Sequence, residues 1–489
     1  MSPRLPIGVA TTWRPGPGCP PVALSLGSGP APFGRSEMFT STANPRSRAR
    51  LLRSLLLLVL IGGCTVRQKS TVPEPVQPPP PPAAEEEIGP PPPPRVAVLL
   101  PLSGPSAELG RDLFDAVQMA LFEVGDNELE LLPRDTAGDP ATARRVAVEV
   151  LDRGAELILG PLFGRAAREV AAVASPRGVP VLSFSNDSSI AGPDLFVLGF
   201  RPEEQVRRIV TFARERGYPR IGALVPDDAY GARALEAWRA AVGEAGEAET
   251  PPYAVYGGDQ NAIAETLRRF TDYDARVAAL EEQKKALAGR TDEVAERALA
   301  ELERQDTFGP PPFDAVLIAD GGLRLRTVAA LLAYYDVDTA TARFLGTMRW
   351  LEDTELPERE VLVGSWLATR SPAKEAAFGQ RFEAVYGRAP RPLASLAFDA
   401  AALAVLLSRT EPRFDRAQLT DPQGFDGFSG IFRLRPDGLA EHGLAVLEIR
   451  KGELVEIDPA PSAFPAGFAA GPRGAEPVRA VRRPAARTG

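Results

Sequence analysis

One histidine and two cysteines are all this chain carries of the side chains most used as nucleophiles, general bases and soft metal ligands near neutral pH. His442 stands beside Gly443 and ahead of the apolar run Leu444–Ile449, the setting of a turn or strand-edge residue. Cys19 and Cys64 both fall in the first 64 residues, so the remainder has no cysteine for a disulfide or a thiolate metal site. There is no G-x-x-x-x-G-K-S/T phosphate loop, no G-x-S-x-G elbow and no H-E-x-x-H pair. Catalysis by carboxylates alone stays open, with Asp227 and Asp320 as candidates. Neither a metal nor a cofactor is expected.

Cys64 has a context of its own. Arg46, Arg48, Arg50 and Arg53 form a basic flank, Leu55–Ile61 a short apolar run, and Gly62 and Gly63 place small residues directly before the cysteine. That is the order of a secretory signal. The apolar run is too short to span a bilayer, which takes roughly 20 residues. The ending Ile61-Gly62-Gly63-Cys64 resembles a bacterial lipobox, which implies that Cys64 is lipidated and becomes the mature N-terminus. Thr65 stands where an aspartate would favour the inner membrane, so by the same resemblance the expected location is the periplasmic face of the outer membrane. A start at Met38 gives this signal its usual length, and Met1–Glu37 is rich in Pro and Gly without apolar periodicity.

The elements that must position any site lie further on. Residues 64–94 join the lipidated Cys64 to a proline-rich tether with an acidic run, Glu85–Glu87. Proline runs of this kind extend by ~3.1 Å per residue. From Arg95 the pattern becomes strand and helix in alternation. Val96–Leu100 is a continuous apolar run, the mark of a strand buried on both faces. Leu113, Phe114, Val117, Leu121 and Val124 then recur at helical spacing. Further strands are expected at Leu129–Leu132, Leu157–Leu159, Val179–Phe184, Ile221–Val225, Val316–Ala319, Phe344–Gly346 and Val361–Val363, with helices between them. Such alternation builds parallel sheets from βαβ units.

The expected fold is therefore α/β with two lobes, each a parallel sheet flanked by helices. The first lobe is assigned to 95–202 with a return segment at about 371–428. The second is assigned to 203–370 and is completed by about 429–456. Asp272–Asp306 breaks the rhythm with charged residues, Ala and Leu. It reads as a helical hairpin inserted in the second lobe, turning at Gly289-Arg290-Thr291 with Thr291 as cap. Residues 457–489 form a basic tail rich in Pro, Ala and Gly, expected to be disordered.

The charge balance limits the partners. The residues through Cys64 hold 7 basic and 1 acidic side chains, which leaves 49 Lys+Arg against 63 Asp+Glu, or −14, for the remainder. Nucleic acid is not expected, since it calls for a basic patch.

An ordered set of motifs now becomes recognisable. Arg95–Gly104 (RVAVLLPLSG), Leu157–Leu162 (LILGPL), Asp228–Gly231 with its following helix, Leu396–Leu407, and Gly430–Leu434 with Asp437-Gly438 together resemble type I periplasmic binding proteins. The resemblance covers about residues 95–456 and implies a non-catalytic, two-lobed protein with a ligand cleft. Its phrases LLPLSG and LGPL are closer to the lipoprotein activators of penicillin-binding proteins, which implies regulation of peptidoglycan synthesis with a penicillin-binding protein as partner. The alternative is a substrate-binding protein of an ABC importer for amino acids or a related small solute, with an ABC permease as partner. The cleft candidates are Ser103, Gly164, Arg165, Ser183, Ser185, Asn186, Asp187, Tyr230, Asp320 and Arg349. In amino-acid binders of this kind, hydroxyls at a helix N-terminus hold the carboxylate and an acid of the second lobe meets the ammonium. Here Pro161–Arg165 has no hydroxyl and Met348 stands at the acid's position, so standard amino-acid binding is not expected.

Overall fold

A computed structural model describes residues 92–125, 129–243 and 251–464. The signal, Cys64, the tether up to residue 91 and the tail from residue 465 lie outside the described residues. No helix among the described residues is long and apolar enough to cross a membrane.

The first lobe is built on β1 (Arg95–Leu100), α1 (Ala107–Val124), β2 (Glu130–Asp135), α2 (Pro140–Asp152), β3 (Leu157–Leu159), α3 (Gly164–Ala174), β4 (Val181–Ser183) and β5 (Leu195–Val197). Its five strands lie in the order β2-β1-β3-β4-β5, all parallel. Local chemistry explains the punctuation. Asp139 caps α2 by accepting the Thr142 N–H at 2.7 Å, and Pro140 fills the first helical position, where no amide is needed. Gly160, after β3, has φ of +90°, and a Cβ there would lie 2.2 Å from the Leu99 carbonyl oxygen. Only glycine allows this turn.

The chain then crosses to the second lobe: α4 (Pro202–Glu215), β6 (Ile221–Pro226), α5 (Ala229–Gly243), β7 (Tyr253–Tyr256), α6 (Gln260–Phe270), α7 (Tyr273–Ala288), α8 (Glu293–Leu302), β8 (Ala315–Ile318), α9 (Gly322–Tyr334), β9 (Arg343–Gly346) and β10 (Trp366–Thr369). It returns to the first lobe through α10 (Pro372–Tyr386), α11 (Ala394–Ser408), α12 (Arg416–Leu419) and the antiparallel strands β11 (Phe425–Gly427), β12 (Gly430–Leu434) and β13 (Ala440–His442). A third crossing leads to β14 (Ala445–Arg450) and β15 (Glu453–Asp458). The second sheet runs β15-β14-β10-β9-β8-β6-β7, with β14 and β15 antiparallel to their neighbours. Helix α11 is apolar nearly all round and accordingly buried in the first lobe's core.

Several expectations shift. Val361–Val363 is not a strand. Glu360–Leu362 forms a short 3-10 turn that plugs the core with Leu362, and the strand is Trp366–Thr369, beyond Gly364. Strands β5 and β7 carry too few residues for periodicity to reveal them. The stretch 429–442, grouped with the second lobe by sequence, packs on the first. Phe432, Leu434 and Ala440 join the first lobe's core, and the Val197 N–H donates to the Gly438 carbonyl at 2.8 Å. Residues 457–458, assigned to the tail, end β15, where Asp458 pairs with Arg208. The insert is a hairpin as expected, but Asp292 rather than Thr291 caps its second helix, accepting the Ala295 N–H at 3.0 Å. Nor is it an independent arm. Arg276 of α7 buries its guanidinium in the second lobe, donating to the carbonyls of Gly309, Tyr335 and Asp336 and to the Thr307 hydroxyl.

Candidate functional site

A cavity of about 440 Å³ opens between the lobes. It lies beyond the carboxyl ends of strands from both sheets, where open α/β folds place ligands because loops from several strands converge there. The loop after β3 brings Leu162 and Phe163; that after β4 brings Phe184, Ser185 and Asn186; and that after β5 brings Gly199 and Phe200. From the second lobe come Gln205, Tyr230 and the turn Met348–Glu352 that follows β9, with Trp350 buried behind. Arg370, Pro392 and Leu393 complete the wall from the return segment.

The polar groups of the second-lobe wall are held in place. The Tyr230 hydroxyl donates to Thr347 Oγ1 at 2.9 Å, and burial pushes its phenol up to about 12, so it stays neutral. The Arg349 guanidinium lies over the Tyr230 ring, 4.8 Å from its centre. Three carboxylates surround Arg349: Glu352 at 3.2 Å, Asp320 at 3.7 Å and Asp228 at 4.0 Å. Asp320 is fully buried and also accepts from the Tyr256 hydroxyl, Arg324 and the Gly321 N–H. Burial works against the charge of Asp228, but the Gly231 N–H, Arg324 and Arg349 hold its carboxyl below the usual range. A Cβ on Gly321 would lie 2.4 Å from the Arg349 carbonyl oxygen, so position 321 itself has no room for a side chain.

The opposite side is mostly apolar. Phe163, Phe184 and Phe200 face the cavity with Leu109 and Leu162. Ser185 is buried; its Oγ accepts the Asp187 N–H at 3.1 Å, next to Gly164 at the start of α3. Arg370 lies over the Phe200 ring, pairs with Glu375 at 2.9 Å, and leaves its buried Nε–H without a hydrogen-bond partner among the described residues. Across the cleft mouth, Arg233 of α5 reaches Asp187 at 3.8 Å.

Of the sequence candidates, Ser185, Asn186, Tyr230 and Arg349 line the cavity, and Gly164 and Asp187 border it. Four lie elsewhere. Ser103 is exposed and its N–H donates to Asp135. Arg165 is exposed on α3. The Ser183 hydroxyl is buried and donates to the Pro161 carbonyl at 2.8 Å, tying β4 to the loop after β3. Asp320 sits behind Arg349, held by protein cations rather than open to a ligand, and Asp227 is exposed at the end of β6. Sequence reasoning missed Phe163, Phe184 and Phe200, although each follows a strand closely. It had no signal for Arg370, Pro392 and Leu393, which join the site only through the return segment. Met348 does sit on the wall, but Glu352 brings a carboxylate there that sequence reasoning did not anticipate. No group of three His, Cys, Asp or Glu side chains among the described residues could hold a metal.

A family model described as periplasmic binding protein matches residues 93–453. Among solved structures, the fold is similar to a protein provisionally named a branched-chain amino acid ABC transporter from Rhodospirillum rubrum: 20% identity, 74% of this chain and 99% of that chain, TM-score 0.58. It is also similar to a branched chain amino acid ABC transporter periplasmic ligand-binding protein of Burkholderia xenovorans LB400, at 18% identity over 75% of this chain and 96% of that one, TM-score 0.55. At such identities the likeness concerns the fold. An uncharacterized protein of Rickettsia prowazekii (strain Madrid E) is 25% identical over 135 residues, 28% of this chain and 36% of that protein's length.

Proposed function

The chain belongs to the periplasmic binding protein family, and from that premise we propose that it is a non-catalytic solute-binding protein that captures a small molecule between its lobes for an ABC permease. The observation that carries this reading is the interlobe cavity, walled by both lobes at the carboxyl ends of their strands. Ten of its seventeen lining residues are Leu, Phe, Tyr, Met or Pro, the profile of a cleft that buries an apolar ligand body around a few polar groups. Names of similar proteins that mention ABC transport agree with the reading.

The test is a thermal-shift panel of amino acids, aliphatic and aromatic carboxylates, and sugars at millimolar concentration. Micromolar capture corresponds to about −8 kcal/mol, and ligand at 1,000 times its Kd adds ~4 kcal/mol of stability. A clear rise in Tm with at least one solute, lost in Phe200→Ala or Tyr230→Ala, is expected. A flat panel removes the reading.

The second reading is regulation of peptidoglycan synthesis through a penicillin-binding protein. The charged hairpin α7–α8 favours it, since an exposed charged insert suits a protein partner more than a small ligand. A pull-down from membranes with intact protein and a variant lacking the hairpin tip, residues 284–298, decides whether the hairpin selects a partner. Under either reading we propose a lipid anchor at Cys64 and a location on the periplasmic face of the outer membrane, supported by the lipobox-like ending Ile61–Cys64. Cys64→Ala should release it from the membrane fraction, and unchanged fractionation would remove the anchor.

A further inference from the structure

The second-lobe wall is built to hold a cation, and the protein supplies that cation itself. Asp228 and Asp320 face Nη1 of Arg349 and Glu352 faces its Nε, so the guanidinium lies within 4.0 Å of all three carboxylates. Tyr230 stacks beneath it, fixed by Thr347, and the Arg349 side chain is one-quarter exposed where it meets the cavity. A ligand ammonium entering here would find its carboxylates taken and a guanidinium facing it. Displacing Arg349 would strand a long cation against an apolar wall, and an ammonium left unpaired in a closed cleft is costly to desolvate.

The remaining lining points the same way. Arg349 and Glu352 engage each other on the wall, which leaves Arg370, paired with Glu375 outside the lining, as the remaining charged side chain of the cavity. Arg370 keeps a buried Nε–H without a partner among the described residues. Opposite lie Leu109, Phe163, Phe184 and Phe200.

Resting on the solute-binding reading, we infer that Arg349 is a built-in counter-cation that makes the cleft select a small apolar carboxylic acid without an amino group. Arg349 is then a specificity-determining residue: its charge stands in for the ammonium of an amino acid.

The experiment is calorimetric titration of L-leucine, 4-methylpentanoate (the same skeleton and carboxylate without the amine) and benzoate into the wild-type protein, Arg349→Ala and Arg349→Lys. The wild type is expected to bind 4-methylpentanoate or benzoate at least tenfold tighter than leucine. Arg349→Ala removes the cation from the wall, leaving Glu352 there without its Arg349 partner, and should shift the ratio toward leucine by tenfold or more, whereas Arg349→Lys keeps the wild-type order. Asp320 retains Arg324, Tyr256 and Gly321 as partners in the alanine variant, so folding should survive, and a matching thermal transition checks it. A wild type that prefers leucine overturns the inference and leaves the solute-binding reading intact. An unchanged ratio in Arg349→Ala also overturns it. Absence of binding by every ligand to every protein overturns the solute-binding reading, and the inference with it.

Discussion

The His442 imidazole holds its Nδ1 3.0 Å from Glu204 Oε1, joining the end of β13 to the first turn of α4 where the chain passes between the lobes. Glu204 is buried, and its other oxygen accepts the His442 backbone N–H at 3.2 Å. Arg201 adds its guanidinium at 3.7 Å and donates to the Ala440 carbonyl. Burial by itself raises the Glu204 carboxyl, but His442 and Arg201 outweigh it and hold the group below its usual range. The crossing is therefore tied by a buried ionic cluster.

Removing one partner of such a cluster costs more than the pair contributes, because a buried charge is left behind. His442→Ala should destabilise the protein by about 3 kcal/mol or more, read as a lower urea midpoint. Pairing it with Glu204→Gln should cost less than the two single changes together, since the stranded carboxylate is gone. Strict additivity would show that the two side chains are uncoupled.

Asp399 sets a pH dependence of opposite sign to Glu204. It lies buried on α11, where its carboxylate accepts the backbone N–H groups of Phe428 and Ser429 and the Ser429 hydroxyl. Burial pushes its carboxyl up to about 6, against those hydrogen bonds. The folded protein thus holds this proton more tightly than the unfolded chain. The group's stabilising contribution is full below about pH 4 and is lost as pH rises through about 6. Unfolding free energies of Asp399→Asn should lack this fall of ~2–3 kcal/mol between pH 4 and 6. Parallel pH profiles for wild type and variant would contradict the assignment.

Trp350 links the core to the site. Its ring is fully buried against Gly346 and its Nε1–H donates to the Ile318 carbonyl at 2.9 Å, one residue from Arg349. Trp350→Ala should cost about 3–5 kcal/mol in denaturant unfolding. Because the turn carrying Arg349 loses its anchor, ligand selectivity should fall with it. A stable variant with unchanged selectivity would mean the turn is held by other contacts.

The hairpin divides into a base and a tip. Arg276→Ala leaves the Tyr335 and Asp336 carbonyls without their guanidinium donor and should cost about 2 kcal/mol. Trimming residues 284–298 to a short Gly/Ser turn should cost under ~1 kcal/mol, since loop closure depends weakly on length. Thermal melts of the two variants separate base from tip. Equal losses would mean that the tip packs on the lobe.

Much of the scaffold was legible because its signals are local. The continuous apolar run at Val96–Leu100, the glycine stops and the helical spacing of Leu113 to Val124 each concern neighbours in sequence, and the motif order from Arg95 to Leu434 specified two α/β lobes. The site was legible only where it directly follows a strand, as at Ser185 and Asn186, or opens a helix, as at Tyr230 in the first turn of α5. What sequence could not decide depends on partners far along the chain. His442 reads as a turn residue until Glu204, 238 positions away, buries and pairs it. Val361–Val363 reads as a strand until the sheet takes Trp366–Thr369 instead, because only pairing with β9 and β14 selects between two short apolar runs. Arg349 reads only as a cleft candidate; Asp228 and Asp320, brought to it by two other loops, join Glu352 of its own turn and decide that its charge is already spent inside the wall.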